Sequence, residues 1–250
     1  MPPLTFKDIH IQFCKKIDEL QIYNNFTVSL SFKKLAIEDC IYFIKYIKNM
    51  KYQAIKRSHS YEADQLFHMQ CLLNSLLSSL KIWIFLEEKD YKKAWYSLID
   101  AQEYLIVAKK INHYDGLINL EKHLESIEKS IFPQRKIYLS AAFTSSIGYC
   151  SICNREFFEC DHVENNIYCG QLCLRIKVEN IKANHVALVE NPADRRCIVT
   201  SYGKDKSVID SFTLENIEDK DEVQDGIFHG YVLSFKESVQ NSVSAELARV

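Results

Sequence analysis

The 250-residue chain is 47% hydrophobic and 26% charged, an ordinary globular composition that suits two modest domains or one larger one. A formal net charge of −2 excludes a global field that would draw in nucleic acid or anionic lipid. The charge is uneven: residues 1–137 carry 20 Lys/Arg against 16 Asp/Glu, a balance of +4, whereas residues 138–250 carry 11 against 17, a balance of −6.

Glycine and proline divide the chain. Between Leu4 and Phe132 there is one glycine, Gly116, and no proline, whereas Pro133, Pro192 and five further glycines follow. Helix interiors exclude both residue types and turns recruit them, so a helical first half and a turn-rich second half are expected. Phe26 to Phe32 alternates strictly and predicts a strand. Residues 32–57 place Ile37, Ile41, Ile44 and Ile47 on one face. Residues 61–86 carry a wider stripe (Leu66, Met69, Leu73, Leu76, Leu80, Trp83), as expected of a helix packed on several neighbours. Residues 90–111 and 115–132 repeat the helical period, and Pro133 stops the last helix. Four amphipathic helices with short connections predict an antiparallel bundle.

Beyond Pro133 the period changes toward two. Leu172 to Val178, His185–Glu190, Cys197–Tyr202 and Ile227–Phe235 predict short antiparallel strands. The run Glu215 to Asp225, six acids and one lysine, predicts a solvated loop, and Lys236 to Val250 a terminal helix. The chain start shows no basic segment followed by an apolar run, and the longest apolar stretch, Leu72 to Leu86, is broken by Asn74, Ser75, Ser78, Ser79 and Lys81. The expectation is therefore a cytoplasmic protein with no membrane partner. Nine cysteines in a reducing compartment read as thiols and metal ligands rather than disulfides.

The strongest chemical signal is Cys150-Ser-Ile-Cys153, six residues, then Cys160-Asp-His162. A Cys-x-x-Cys turn brings two thiolates to one cation, and residues two apart in an extended Cys-x-His project to the same side. Three thiolates and one imidazole close a tetrahedral shell that suits structural zinc and leaves no position for water. Cys169 and Cys173 lie close enough in sequence to serve as alternative ligands, while Cys14, Cys40 and Cys71 fall at helical positions as apolar fillers. The fold class is then α+β: an antiparallel helical bundle over residues 1–136, followed by a small zinc-stapled antiparallel β module over residues 137–250.

Cys150 to Val199 also carries Ile167-Tyr168-Cys169-Gly170, Cys173, Val186 to Ala193 and Ile198-Val199. This fifty-residue segment resembles one found in phage proteins related to the capsid-maturation (prohead) proteases. There a cysteine/histidine knuckle precedes a Tyr-Asp-Gly turn and a strand ending near Pro-Ala. The resemblance implies a β-rich module of phage or bacterial origin. It does not carry the peptidase activity across, because His185-Val186-Ala187 stands where that pattern has Glu-Val-Ser, and Cys169 replaces the turn's aspartate.

Other chemistry is thinly represented. The six glycines never take a phosphate-loop spacing, and no Gly-x-Ser-x-Gly or His-Glu-x-x-His is present. Arg195 and Arg196 are candidates for an anion contact, and His68 reads as a bundle histidine rather than a ligand. Fourteen tyrosines, among them Tyr42, Tyr46, Tyr52, Tyr61, Tyr91, Tyr96 and Tyr104 along the bundle, suit a protein interface. The sequence therefore points to a non-enzymatic adaptor or scaffold with a protein partner or a second copy of itself, in a phage-related or phage-defence setting. A diverged serine peptidase using Ser145 or Ser146 with His162 is one alternative. A nucleic-acid-binding knuckle helped by Arg155 and Arg175 is another, disfavoured by the acidic second half.

Overall fold

The computed structural model describes residues 5–25, 28–132, 136–205, 207–219 and 226–230. Five helices come first: α1 (Phe6–Asn25), α2 (Leu30–Lys56), α3 (Ser60–Glu87), α4 (Tyr91–Lys109) and α5 (Asp115–Ile131). Ten short strands follow: β1 (Tyr138–Thr144), β2 (Tyr149–Cys150), β3 (Ile167–Tyr168), β4 (Gln171–Leu172), β5 (Arg175–Ile176), β6 (Lys182–Val189), β7 (Val199–Lys204), β8 (Ser207–Asp210), β9 (Asn216–Asp219) and β10 (Phe228–Gly230). The protein is α+β with a helical N-terminal part.

The chain forms two compact units. One comprises Met1–Glu125, Cys150–Arg155 and Glu159–Leu174; the other comprises Ser126–Tyr149, Glu156–Phe158 and Arg175–Val250. This differs from the sequence division at 136/137. The segments that bear the cysteine constellation belong with the helices, not with the larger sheet.

In the helical unit α3 is central and packs on α1, α2 and α4. Its wide apolar stripe explains this: Leu66, Leu73, Leu76 and Leu80 are all buried, and so are the polar residues His68, Gln70, Ser75 and Ser79. A helix so buried is expected to satisfy its polar groups internally. Ser75 does so by donating to the Ala101 carbonyl (2.8 Å), although Gln70 Oε1 and Ser79 Oγ have no hydrogen-bond partner among the described residues. By length and composition α3 is apolar enough to cross a membrane, yet 72% of its most apolar window is buried within the fold. Facing it, α4 contributes Trp95, Leu98, Ala101, Leu105 and Ala108. Leu73 has no solvent exposure, so Leu73→Ala should lower the unfolding free energy by about 2–5 kcal/mol, read by urea titration.

Two expectations at the start of the chain are corrected. α1 has no counterpart in the predicted elements, and it buries Ile9, Phe13, Leu20 and Asn24. Over the described residues 28–32 the expected strand is not formed, because residues 30–32 are the first turn of α2, and its residues 26 and 27 lie outside the described residues. Their serine–apolar alternation occupies a helix start, where serine is well tolerated, and Val28 is almost wholly exposed.

The start of α4 is capped by Asp90. Asp90 Oδ1 accepts from the Lys93 amide (3.0 Å) and Oδ2 pairs with the Lys93 ammonium (2.7 Å). Burial works against the Asp90 charge, but the Lys93 hydrogen bonds outweigh it and hold the carboxyl below its ordinary value. Asp90→Ala should therefore cost about 1 kcal/mol at neutral pH. A depressed folded-state value means that this contribution is complete above the unfolded carboxylate range near pH 4. The gap between variant and parent melting curves should close as acid protonates Asp90 in the folded protein.

In the other unit β1 pairs antiparallel with β6, Leu139 opposite Leu188 and Ala141 opposite Val186, with an irregularity between Ala142 and Phe143. β10, β7, β8 and β9 form a four-stranded sheet in that order. Tyr138, Cys197, Ile198 and Val199 are buried in this unit, and Phe132 meets Phe212 edge to face at 6.3 Å. The acidic run opens as strand rather than loop, since Asn216–Asp219 pair with β8. Its residues 220–225 and the helix expected over 236–250 lie outside the described residues.

Candidate metal centre

The cluster is assembled by a knuckle and a hairpin. At the knuckle the Asn154 amide donates to the Cys150 carbonyl and the Cys150 amide to the Arg155 carbonyl, both at 2.9 Å. Asn154 takes a left-handed conformation (φ 56°), which asparagine tolerates. The tightened turn also lets the Ile152 amide donate to Cys150 Sγ (3.4 Å). A single 3₁₀ turn, Phe157–Glu159, leads into Cys160. The β3–β4 hairpin turns on Cys169 (φ 47°) and Gly170 (φ 70°), the two positive values that match the twist of a tight hairpin.

Four ligand atoms converge. Those of Cys150, Cys153, Cys160 and His162 all lie within 4.8 Å of one another, Cys150 buried and the others half-buried. The edge of a thiolate tetrahedron around a divalent ion is about 3.8 Å, so the set is close enough to hold one metal ion. The His162 imidazole supports that fit: its Nδ1 is shielded from solvent without a hydrogen-bond partner. Tyr168 stands edge-on to this ring at 4.6 Å, and its hydroxyl accepts from the Val163 amide (3.0 Å), which fixes the ring's orientation. None of the nine cysteines is in a disulfide.

The electrostatics favour a thiolate at Cys153, whereas burial raises the Cys160 thiol. The Arg155 amide hydrogen bond is the chief cause that brings the Cys153 thiol down to about 6. Arg155 itself is held above its ordinary value by its side-chain bond to Cys153, so this arginine answers the charge of the cluster. Cys173 behaves differently. Its Sγ lies 3.8 Å from Cys150 Sγ, but burial pushes its thiol up to about 12. It is a fourth sulfur beside the three of the cluster, while Cys169 sits at the hairpin turn outside the set.

The cluster rests on α3. The Gly170 amide donates to Asp64 Oδ1 (2.6 Å), and a Cβ at Gly170 would come within 2.6 Å of the Ala63 carbonyl oxygen. The Lys110 ammonium donates to the Asn165 carbonyl (2.7 Å). Sequence reasoning missed this seating, because 106 residues separate Asp64 from Gly170.

The candidates for an anion contact, Arg195 and Arg196, both meet carboxylates of the chain itself. Arg195 Nη2 meets Glu128 Oε1 at 2.6 Å, and buried Arg196 meets Asp194 Oδ1 at 3.0 Å. Burial opposes the Arg195 charge, and the bonds from Glu128 and Tyr138 more than offset it. Both guanidiniums serve the chain's own carboxylates. His68 is a satisfied bundle histidine, with Nδ1 3.0 Å from the Ala108 carbonyl and Nε2 3.1 Å from the Tyr114 hydroxyl. Cys40 and Cys71 are buried fillers, but Cys14 is exposed.

Comparison with family models, curated proteins and solved structures gave no match.

Proposed function

We propose that the protein is a non-enzymatic adaptor or scaffold whose Cys150, Cys153, Cys160 and His162 hold one structural zinc ion. The observation that carries this reading is the convergence of three sulfurs and one imidazole within 4.8 Å. Such a donor set selects a soft or borderline ion, and zinc takes it tetrahedrally. All four positions are protein atoms, so no metal-bound water is left to act as nucleophile. Three thiolates around a divalent cation leave one negative charge, and Arg155 lies beside it.

The adaptor part rests on surface chemistry. Phe32, Leu35 and Tyr42 fall on one face of α2 and are 56%, 59% and 77% exposed. Large apolar side chains aligned along one helix suit a protein partner or a second copy of the chain. The phage-related or phage-defence setting follows only from the resemblance over residues 150–199, and the reducing cytoplasm from the free thiols.

Native mass spectrometry of the protein purified gently from its host tests the reading. One zinc per chain and a defined bound protein are expected. Leu35→Asp with Tyr42→Asp should release that partner and leave the zinc in place. A metal-free monomer would overturn the proposal, and so would a complex indifferent to both substitutions.

A further inference from the structure

A second site, unrelated to the cysteines, lies among the helices. A half-open cavity of about 410 Å³ is bounded by α1, α3, the 112–116 connection and α5, entirely within the helical unit. This volume falls in the range of pockets that bury small organic ligands. Its walls include Phe13, Ile17, Met69, Leu72, Leu76 and Leu120.

The polar groups define what those walls can receive. The Ala108 carbonyl can only accept, so His68 Nδ1 carries the proton and donates to it. Burial favours the neutral His68 ring, so Nε2 accepts and the Tyr114 hydroxyl is the donor at 3.1 Å. The Tyr114 oxygen keeps lone pairs for a donor in the cavity. Gln65 and Asn112 are occupied with each other through two reciprocal amide bonds (2.9 and 3.3 Å). Asp18 is the only Asp, Glu, Lys or Arg among the lining residues. It is exposed on α1 and has no ion-pair partner among the described residues. The cavity therefore offers an apolar body, a hydroxyl acceptor and one carboxylate, with His10 and Gln21 as further polar lining and no lysine or arginine to receive an anion.

From this we infer that the cavity is a binding site for a small, mostly apolar organic cation, an aromatic or aliphatic amine, held by α1 and α3. The apolar portion lies against Met69, Leu72 and Leu76. The ammonium group donates to the Asp18 carboxylate and the Tyr114 oxygen.

Three dansyl probes share one ring system and differ in charge: dansylcadaverine (cationic), dansylamide (neutral) and dansylglycine (anionic). Fluorescence titration should show saturable one-to-one binding, tightest for the cation and weakest for the anion, with about tenfold or more between them, equivalent to about 1.4 kcal/mol. Asp18→Asn should erase the difference between cation and neutral probe. Cys14→Trp, a change at an exposed wall position, should block all three, with thermal melts confirming that both variants fold. Absence of saturable binding by any probe would overturn the inference. Equal affinity for all three charges, or binding indifferent to both substitutions, would do the same.

Discussion

Removing the metal with a strong chelator is expected to unfold the 150–174 segment. That segment has two short strands of its own, β3 and β4, and few buried side chains besides Cys150, Leu172 and Cys173. So little apolar area cannot offset the entropy of ordering some twenty residues. In isolated finger peptides bound zinc contributes on the order of 10 kcal/mol, and here it would supply most of the local folding energy. Cobalt substitution gives the direct readout, because tetrahedral thiolate ligation produces intense visible and near-ultraviolet bands. One equivalent should saturate the parent protein. Cys150→Ser and His162→Ala should each abolish stoichiometric binding. Cys169→Ser should leave the titration unchanged, and Cys173→Ser should keep one cobalt per chain while perturbing the band positions, since its sulfur lies 3.8 Å from Cys150 Sγ. A Cys173→Ser protein that binds no cobalt, beside a His162→Ala protein that does, would move the fourth ligand from the imidazole to Cys173.

The second large effect belongs to Gly170. Its φ of 70° costs an L-residue about 1–2 kcal/mol, and its missing Cβ leaves the Ala63 carbonyl oxygen only 2.6 Å from where a methyl would sit. That neighbour is backbone within α3 and cannot rotate away, so overpacking adds about 1–3 kcal/mol. Gly170→Ala should therefore lose about 2–5 kcal/mol in urea unfolding. Asp64→Ala leaves the Gly170 amide without its carboxylate and should cost about 1.5–3 kcal/mol. The double variant should lose less than the sum, because both changes break the same seat.

The features legible in the sequence were those encoded by local spacing. Helices α2 to α5 carry stripes wide enough to place them within about two residues of their observed ends. The ligand set was readable because Cys150 to His162 spans thirteen residues. α1 was missed because its buried side is narrow: Ile9, Phe13 and Leu20 are separated by exposed Ile11 and Cys14. Without α1 the cavity against Met69 and Leu72 had no second wall. The proximity of Cys173 to Cys150 and the seat of Gly170 on Ala63 depend on where the hairpin returns the chain. Neither has a periodic signature.

The seating of the hairpin on α3 makes metal occupancy a property of the helices as well. A ligand that binds only the folded state raises its stability by RT ln(1 + [L]/Kd). Because Asp64 and Ala63 belong to the first turns of α3, part of that gain is transmitted to the bundle's central helix. The midpoint at which the bundle melts should climb with the logarithm of free metal, so a cell depleted of the ion would hold less of the folded bundle without any change in its synthesis.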